Sequence, residues 1–125
     1  MKKLLIILIC LFSNPCFGKW SWVMEDLLGN TFYLDVKKMK KVDGDYYVWL
    51  LSDNTKPWDN GVLSWTRYYQ VDCKYYRVKV LNQTHYNGPM GTGEVNSRDR
   101  RPDKEWTYPR PDTTLDLIFK NICIE

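Results

Sequence analysis

The sequence holds little of what most catalytic and metal centres are built from. One histidine, His85, occurs in 125 residues, which argues against a polyhistidine metal site. Glycine and proline number 7 and 6, too few for a collagen-like or low-complexity chain. Charge of one sign is scarce as well. Eighteen lysines and arginines against 15 acids leave +3, which is not the footprint of a strongly basic nucleic-acid binder. The longest apolar run is residues 4–12 (LLIILICLF). As a helix it would extend about 14 Å, against roughly 30 Å of hydrocarbon in a bilayer, so it does not read as a transmembrane span. What the chain does hold is aromatic rings, six Trp and nine Tyr within a 15% aromatic share. With 44% hydrophobic and 26% charged residues, it reads as one globular domain rich in β structure.

The short apolar run reads as an address. Lys2 and Lys3 precede it, Asn14 and Pro15 break it, and Cys16 and Gly18 stand at the −3 and −1 positions of a cut before Lys19. That layout predicts a secretory signal peptide over residues 1–18 and a mature domain over 19–125. Cys10 follows Ile9 and Cys16 follows Pro15, so neither has the small preceding residue of a lipidated cysteine, although Cys16 lies close enough to the expected cut for lipidation to stand as an alternative. The cut removes Lys2 and Lys3, which leaves 16 basic residues against 15 acids and a net charge of about +1. It also leaves two of the four cysteines, Cys73 and Cys123. In an exported protein a lone pair is most simply one disulfide, with two free thiols or pairing between chains as the alternatives. Such a bond would close about 50 residues, for about 4 kcal/mol in the chain-entropy model. It also requires Cα atoms about 4.4–6.8 Å apart.

Strands come first and a helix last. Residues 20–24 alternate as a first strand, and 31–36 place Phe32 and Leu34 on one face. Lys37 to Lys41 interrupts the β pattern, and Asp43-Gly44 is a turn dipeptide. Residues 46–52 read as a strand buried on much of both faces. After a loop over 53–61, residues 62–73 form a long strand. Arg67 is the misfit on its apolar face, calling for an acid partner or a place at the sheet edge. Residues 75–86 follow in a tight antiparallel hairpin. Residues 87–104 are too long for a structureless loop in a compact domain, which points to function, disorder or a short strand. Residues 105–108 (EWTY) read as a last short strand. Thr113 caps a helix with Leu115, Ile118, Phe119 and Ile122 on one face, and the sheet is the only large apolar surface able to cover it. A Cys73–Cys123 bond would pin the end of that helix to the end of the longest strand.

Motifs for chemistry do not assemble. No G-x-S-x-G or similar frame surrounds a serine, and His85 lies in a tyrosine-rich strand end. Asp53, Asp59, Asp72 and Glu94 are scattered rather than paired as in a glycosidase. Asp43-Gly44-Asp45 is a turn, not a calcium loop. Gly88, Gly91 and Gly93 lack the Lys-Ser/Thr of a phosphate loop and mark backbone that needs tight turns or close approach. No enzyme, metal or cofactor is expected. Two basic groups stand out instead: Lys37, Lys38, Lys40 and Lys41, and then Arg98, Arg100 and Arg101 in the long loop with Arg110 nearby. Each is either a solvated turn or a surface for an acidic partner, such as a sulfated glycan, an anionic lipid head group or an acidic protein segment. Trp58 and Trp106 are the aromatics expected to be exposed for an interface. The candidate partner-binding residues are therefore Arg98, Arg100, Arg101, Trp106 and Trp58.

The order of motifs resembles a known family. Trp-x-Trp-Val is followed by Thr-Phe-Tyr-Leu-Asp (31–35), Tyr-Tyr-Val-Trp-Leu (46–50) and a strand from Ser64 to Val-Asp-Cys (71–73). Next come Tyr-Asn-Gly-Pro-Met-Gly-Thr-Gly (86–93), Glu-Trp-Thr-Tyr-Pro (105–109) and a helix ending at Cys123. This is similar to the bacterial surface-adhesin protein E-like family over essentially the whole mature chain. The resemblance implies an α+β fold, a single antiparallel sheet of about six strands with a C-terminal helix on one face, and a Cys73–Cys123 disulfide. It implies a non-enzymatic binding protein exported through the inner membrane to the periplasm or surface of a Gram-negative bacterium. The implied partner is a host extracellular-matrix or serum protein, with a homodimer. The other reading is a periplasmic structural or accessory protein, or an inhibitor, whose partner is an envelope protein. Neither reading involves nucleic acid.

Overall fold

The computed structural model describes residues 19–124. The expected signal peptide lies outside the described residues. Seven strands form one antiparallel sheet in chain order: β1 Ser21–Glu25, β2 Thr31–Leu34, β3 Lys40–Val42, β4 Asp45–Asp53, β5 Ser64–Asp72, β6 Arg77–Tyr86 and β7 Val95–Asp99. The spatial order is β1-β2-β4-β5-β6-β7, with β3 paired to the near end of β4. Among the described residues one α-helix, α1 Thr114–Cys123, closes the domain.

Three segments depart from the sequence reading. Residues 40–42 are a strand, not an interruption. Asp43 and Gly44 both take positive φ (53° and 89°), the two-residue turn that matches strand twist. The turn folds Lys40 and Lys41 back against Tyr47 and Tyr46. Lysines suit such a short sheet edge because they discourage further pairing. The long loop contains β7, whose five residues are polar enough to hide from a periodicity search. Residues 105–108 make only one bridge, Thr107 to Val78, with backbone bonds of 2.8 and 2.9 Å. Pro102 and Pro109 flank that stretch and restrict further pairing.

The core lies between α1 and one face of the sheet. Phe32, Leu34, Val48, Leu50, Trp65, Tyr69, Val71 and Val78 meet Ile118, Phe119 and Ile122. Full burial of each aliphatic or Phe side chain contributes about 1.5–3 kcal/mol. The Phe119 ring meets Tyr69 edge-on at 4.9 Å. Thr113 Oγ1 caps the helix by accepting from the Asp116 N–H at 3.2 Å. Among the described residues Arg67 has no carboxylate partner. It lies over Trp65 at 4.0 Å and donates to Gln83 Oε1 and the Tyr69 hydroxyl.

The turn after β5 holds the helix twice. Cys73 and Cys123 are bonded, with Cα atoms 5.4 Å apart. The Tyr76 hydroxyl donates to Asp116 Oδ1 at 2.6 Å, and the same carboxylate accepts from Lys120 Nζ at 3.1 Å.

Candidate functional site

Side chains alternate along a strand, so the helix uses one face of the sheet and leaves the other. On that second face Tyr47, Trp49 and Tyr68 form an aromatic row, with ring centroids 6.3 and 4.8 Å apart. Beside it lies a groove of about 370 Å³. Its floor is polar and aromatic: Trp49 from β4, Thr66 from β5, then Asn82, Thr84 and Tyr86 from β6. Register sets this floor, because Thr66 stands opposite Thr84, and Thr84 opposite Arg98 of β7.

One wall is a knot of backbone fixed to the sheet. The Ser64 hydroxyl donates to Gly88 O at 2.7 Å and accepts from Gly91 N–H at 2.8 Å. Asp53 Oδ1 accepts from Met90 N–H at 2.8 Å. Gly91 has φ +67°, which favours glycine, and a Cβ on Gly88 would come within 2.7 Å of Thr92 O. The glycines therefore permit close approach, as their pattern suggested. Ser64 is spent on this wall. It points to the groove side, whereas the neighbouring β6 position His85 pairs with Trp65 on the helix side. The two do not form a nucleophile and base.

Cations stand around the groove. Lys19 and Lys38 line it together with Arg98 and Arg100, and among the described residues no acid does. The ion pairs among the described residues are Arg77–Asp72, Arg101–Asp99 and Lys120–Asp116, so none of the four groove cations is neutralised this way. Arg101 explains part of that. It takes both oxygens of Asp99, at 3.0 and 3.2 Å, and its hydrogen bonds hold that carboxyl below the usual range. Asp99 faces Gln83 on the helix side of β6, while its neighbours Arg98 and Arg100 are left to the groove. Asp35, the acid closest in sequence to Lys38, is buried and accepts the Lys38 backbone N–H at 3.3 Å.

The five sequence candidates therefore separate. Arg98 and Arg100 meet in the groove. Arg101 is engaged with Asp99. Trp106 is half-buried under Arg77 at 4.3 Å and Lys79 at 4.8 Å. Trp58 is 41% exposed and meets His85 edge-on at 5.4 Å. Burial, and then Arg67, push the His85 imidazole below its ordinary pKa. The groove residues missed in sequence are Lys19, Trp20, Trp49 and the polar β6 positions. Their signal was the face alternation of β4 to β6, together with Lys38 inside the lysine cluster already noticed. Among the described residues, no three His, Cys, Asp or Glu converge as a metal site, and no helix is long and apolar enough to cross a membrane.

Comparison with known proteins agrees with this architecture. No curated protein matches the sequence. Crystal form II of Haemophilus influenzae protein E matches with a TM-score of 0.65 at 16% identity, over 85% of this chain and 87% of that one. The selenomethionine form of Haemophilus influenzae protein E gives 0.64 at 16% identity, over 83% and 86%. Protein E from non-typeable Haemophilus influenzae gives 0.57 at 16% identity, over 82% and 75%. At that identity the likeness establishes the fold. The family model for surface-adhesin protein E matches residues 20–124. The chain belongs to the surface-adhesin protein E family.

Proposed function

We propose that this is an exported, non-enzymatic binding protein of a Gram-negative bacterium, cut before Lys19 and displayed at the cell surface. There it would contact a host extracellular-matrix or serum protein through the sheet face that α1 leaves open. The observation that carries the reading is the groove on that face, where four cations converge on an aromatic and polar floor without a carboxylate. A merely solvated surface neutralises its charges at random, whereas a recognition surface keeps one sign together. Family membership supports the adhesin role. A homodimer formed edge to edge through β1 or β7 belongs to the same proposal, and sedimentation velocity tests it.

The test of location and role is made on cells. Protease added to intact bacteria should digest the protein, and bacteria producing Arg98→Ala/Arg100→Ala should lose adhesion to a panel of immobilised matrix and serum proteins. A protein spared until the outer membrane is opened would overturn the adhesin reading and leave the periplasmic accessory role.

A further inference from the structure

We infer that the groove binds a sulfated polysaccharide chain, an inference that rests on the open sheet face being the contact surface. The argument starts from where the charges stand. Lys38 follows β2 on one side of the floor, and Arg98 and Arg100 belong to β7 and its end on the other. Between β2 and β7 lie β4, β5 and β6, and neighbouring strands are about 4.8 Å apart. The cations therefore flank a floor about 10 Å wide from β4 to β6. A single phosphate or sulfate is too small to reach both flanks at once. A chain with anionic groups along both of its edges can reach both, and a sulfated glycan is such a chain.

The floor suits the sugar rings between those groups. Trp49, Trp20 and Tyr86 offer aromatic faces for the apolar C–H face of a pyranose, and Thr66, Asn82 and Thr84 offer donors and acceptors for hydroxyls. Arginine forks take sulfate oxygens in pairs, as they take phosphate. A single-stranded nucleic acid fits less well, because it carries its phosphates on one edge and its bases on the other. An acidic peptide brings backbone N–H and C=O groups that need partners, and the paired strands of the floor have none to give. A cut before Lys19 would place the new α-ammonium at the groove as a further cation.

The test uses protein purified after export and titrated calorimetrically with a heparin-derived hexasaccharide at physiological salt. Binding is expected, with affinity falling as salt rises. The desulfated hexasaccharide should bind at least about tenfold more weakly. Arg98→Ala/Arg100→Ala and Lys38→Ala should weaken binding, the double variant by about tenfold or more. The control Lys56→Ala/Lys104→Ala removes two charges outside the groove and should leave it unchanged. All these positions are exposed, so melting temperatures should stay equal. Four results would each overturn the inference: no binding, equal binding of the desulfated chain, equal affinity of the groove and control variants, or tighter binding of oligothymidine or of vesicles containing phosphatidylglycerol. If the groove variant still abolishes cell adhesion in any of these cases, the face is right and the ligand chemistry wrong. If adhesion also survives, both readings fall.

Discussion

Removing the Cys73–Cys123 bond tests how a sheet this thin keeps its helix. The bond spans a sequence separation of 50. In the chain-entropy model a closed loop of that size restricts the unfolded chain by about 4 kcal/mol at 25 °C. A domain of about 100 residues shifts its melting temperature by about 4–8 °C per kcal/mol, so Cys73→Ser/Cys123→Ser should melt about 15–30 °C lower. The assay is urea unfolding of the oxidised protein and the double variant, followed by tryptophan fluorescence. Phe119→Ala is the comparator. Its ring is 1% exposed against Tyr69, and its loss should cost about 3–5 kcal/mol through the folded state. The two mechanisms separate in the urea dependence. Opening the cross-link exposes more surface in the unfolded chain and raises the slope, whereas the cavity variant moves the midpoint alone. A cysteine variant within about 1 kcal/mol of the oxidised protein would refute the reasoning, since the chain-entropy model assigns about 4 kcal/mol to a loop of this length.

Other outcomes follow from the same contacts. Ser64→Ala removes a buried hydroxyl that serves Gly88 O and Gly91 N–H and should cost about 1–3 kcal/mol in urea unfolding. An unchanged midpoint would mean that the groove wall does not depend on it. The Tyr76 hydroxyl is the largest cause holding the Asp116 carboxyl below its ordinary value of 3.8, ahead of the Asp112 N–H and Lys120. Asp116 therefore adds stability that is present above about pH 3.8 and lost as pH falls through its lower folded value. Tyr76→Phe should flatten that acid loss, and an identical slope of stability between pH 2 and 5 would count against the pairing. Burial, followed by the Asp116 carboxylate, raises the Tyr76 phenol above its ordinary value of 10.0. Stability should also fall as pH rises beyond about 10, and Tyr76→Phe should remove that fall too.

The parts of the fold legible in the sequence were those with a strong local signal. Phe32 and Leu34 alternate, Thr113 stands three residues before Asp116, and Ile118, Phe119 and Ile122 repeat at helical spacing. Each is a case where local preference and burial agree. The expected cut before Lys19 leaves Cys73 and Cys123 alone, which narrowed the disulfide to one simplest reading. β3 and β7 were illegible for a common reason. Both lie at sheet edges, where the backbone pairs but the side chains remain in water, so no apolar period marks them. The groove was half legible. Arg98 and Arg100 were visible as a basic pair, but their partners come from residues 19, 38 and 49, which only strand order brings near. Arg101 looked equivalent to them in sequence. Its two bonds to Asp99 depend on β7 being a strand, which sends neighbouring side chains to opposite faces.

The same distinction bears on whether the groove is a site or only part of a basic surface. Two other cations of the open face have occupants: Arg77 bonds Asp72 and lies over Trp106, and Lys79 lies over the same ring, whereas Lys40, opposite Tyr47, stands on this face outside the groove. Such stacking shields aromatic area from solvent and draws on charge that would otherwise seek an anion. Lys38, Arg98 and Arg100 have neither a carboxylate nor a ring among the described residues, and Lys19 lies over the groove's own Trp20 at 5.2 Å. With a net charge of only about +1 once the chain is cut before Lys19, long-range steering is weak, and at physiological salt a field fades within about 8 Å. Attraction at this face is therefore short-ranged, and it is strongest where Lys19, Lys38, Arg98 and Arg100 stand together. If the groove binds a polyanion as proposed, the ligand must carry anions at the groove's own spacing to benefit from it, so selectivity among polyanions rather than general affinity for them is expected.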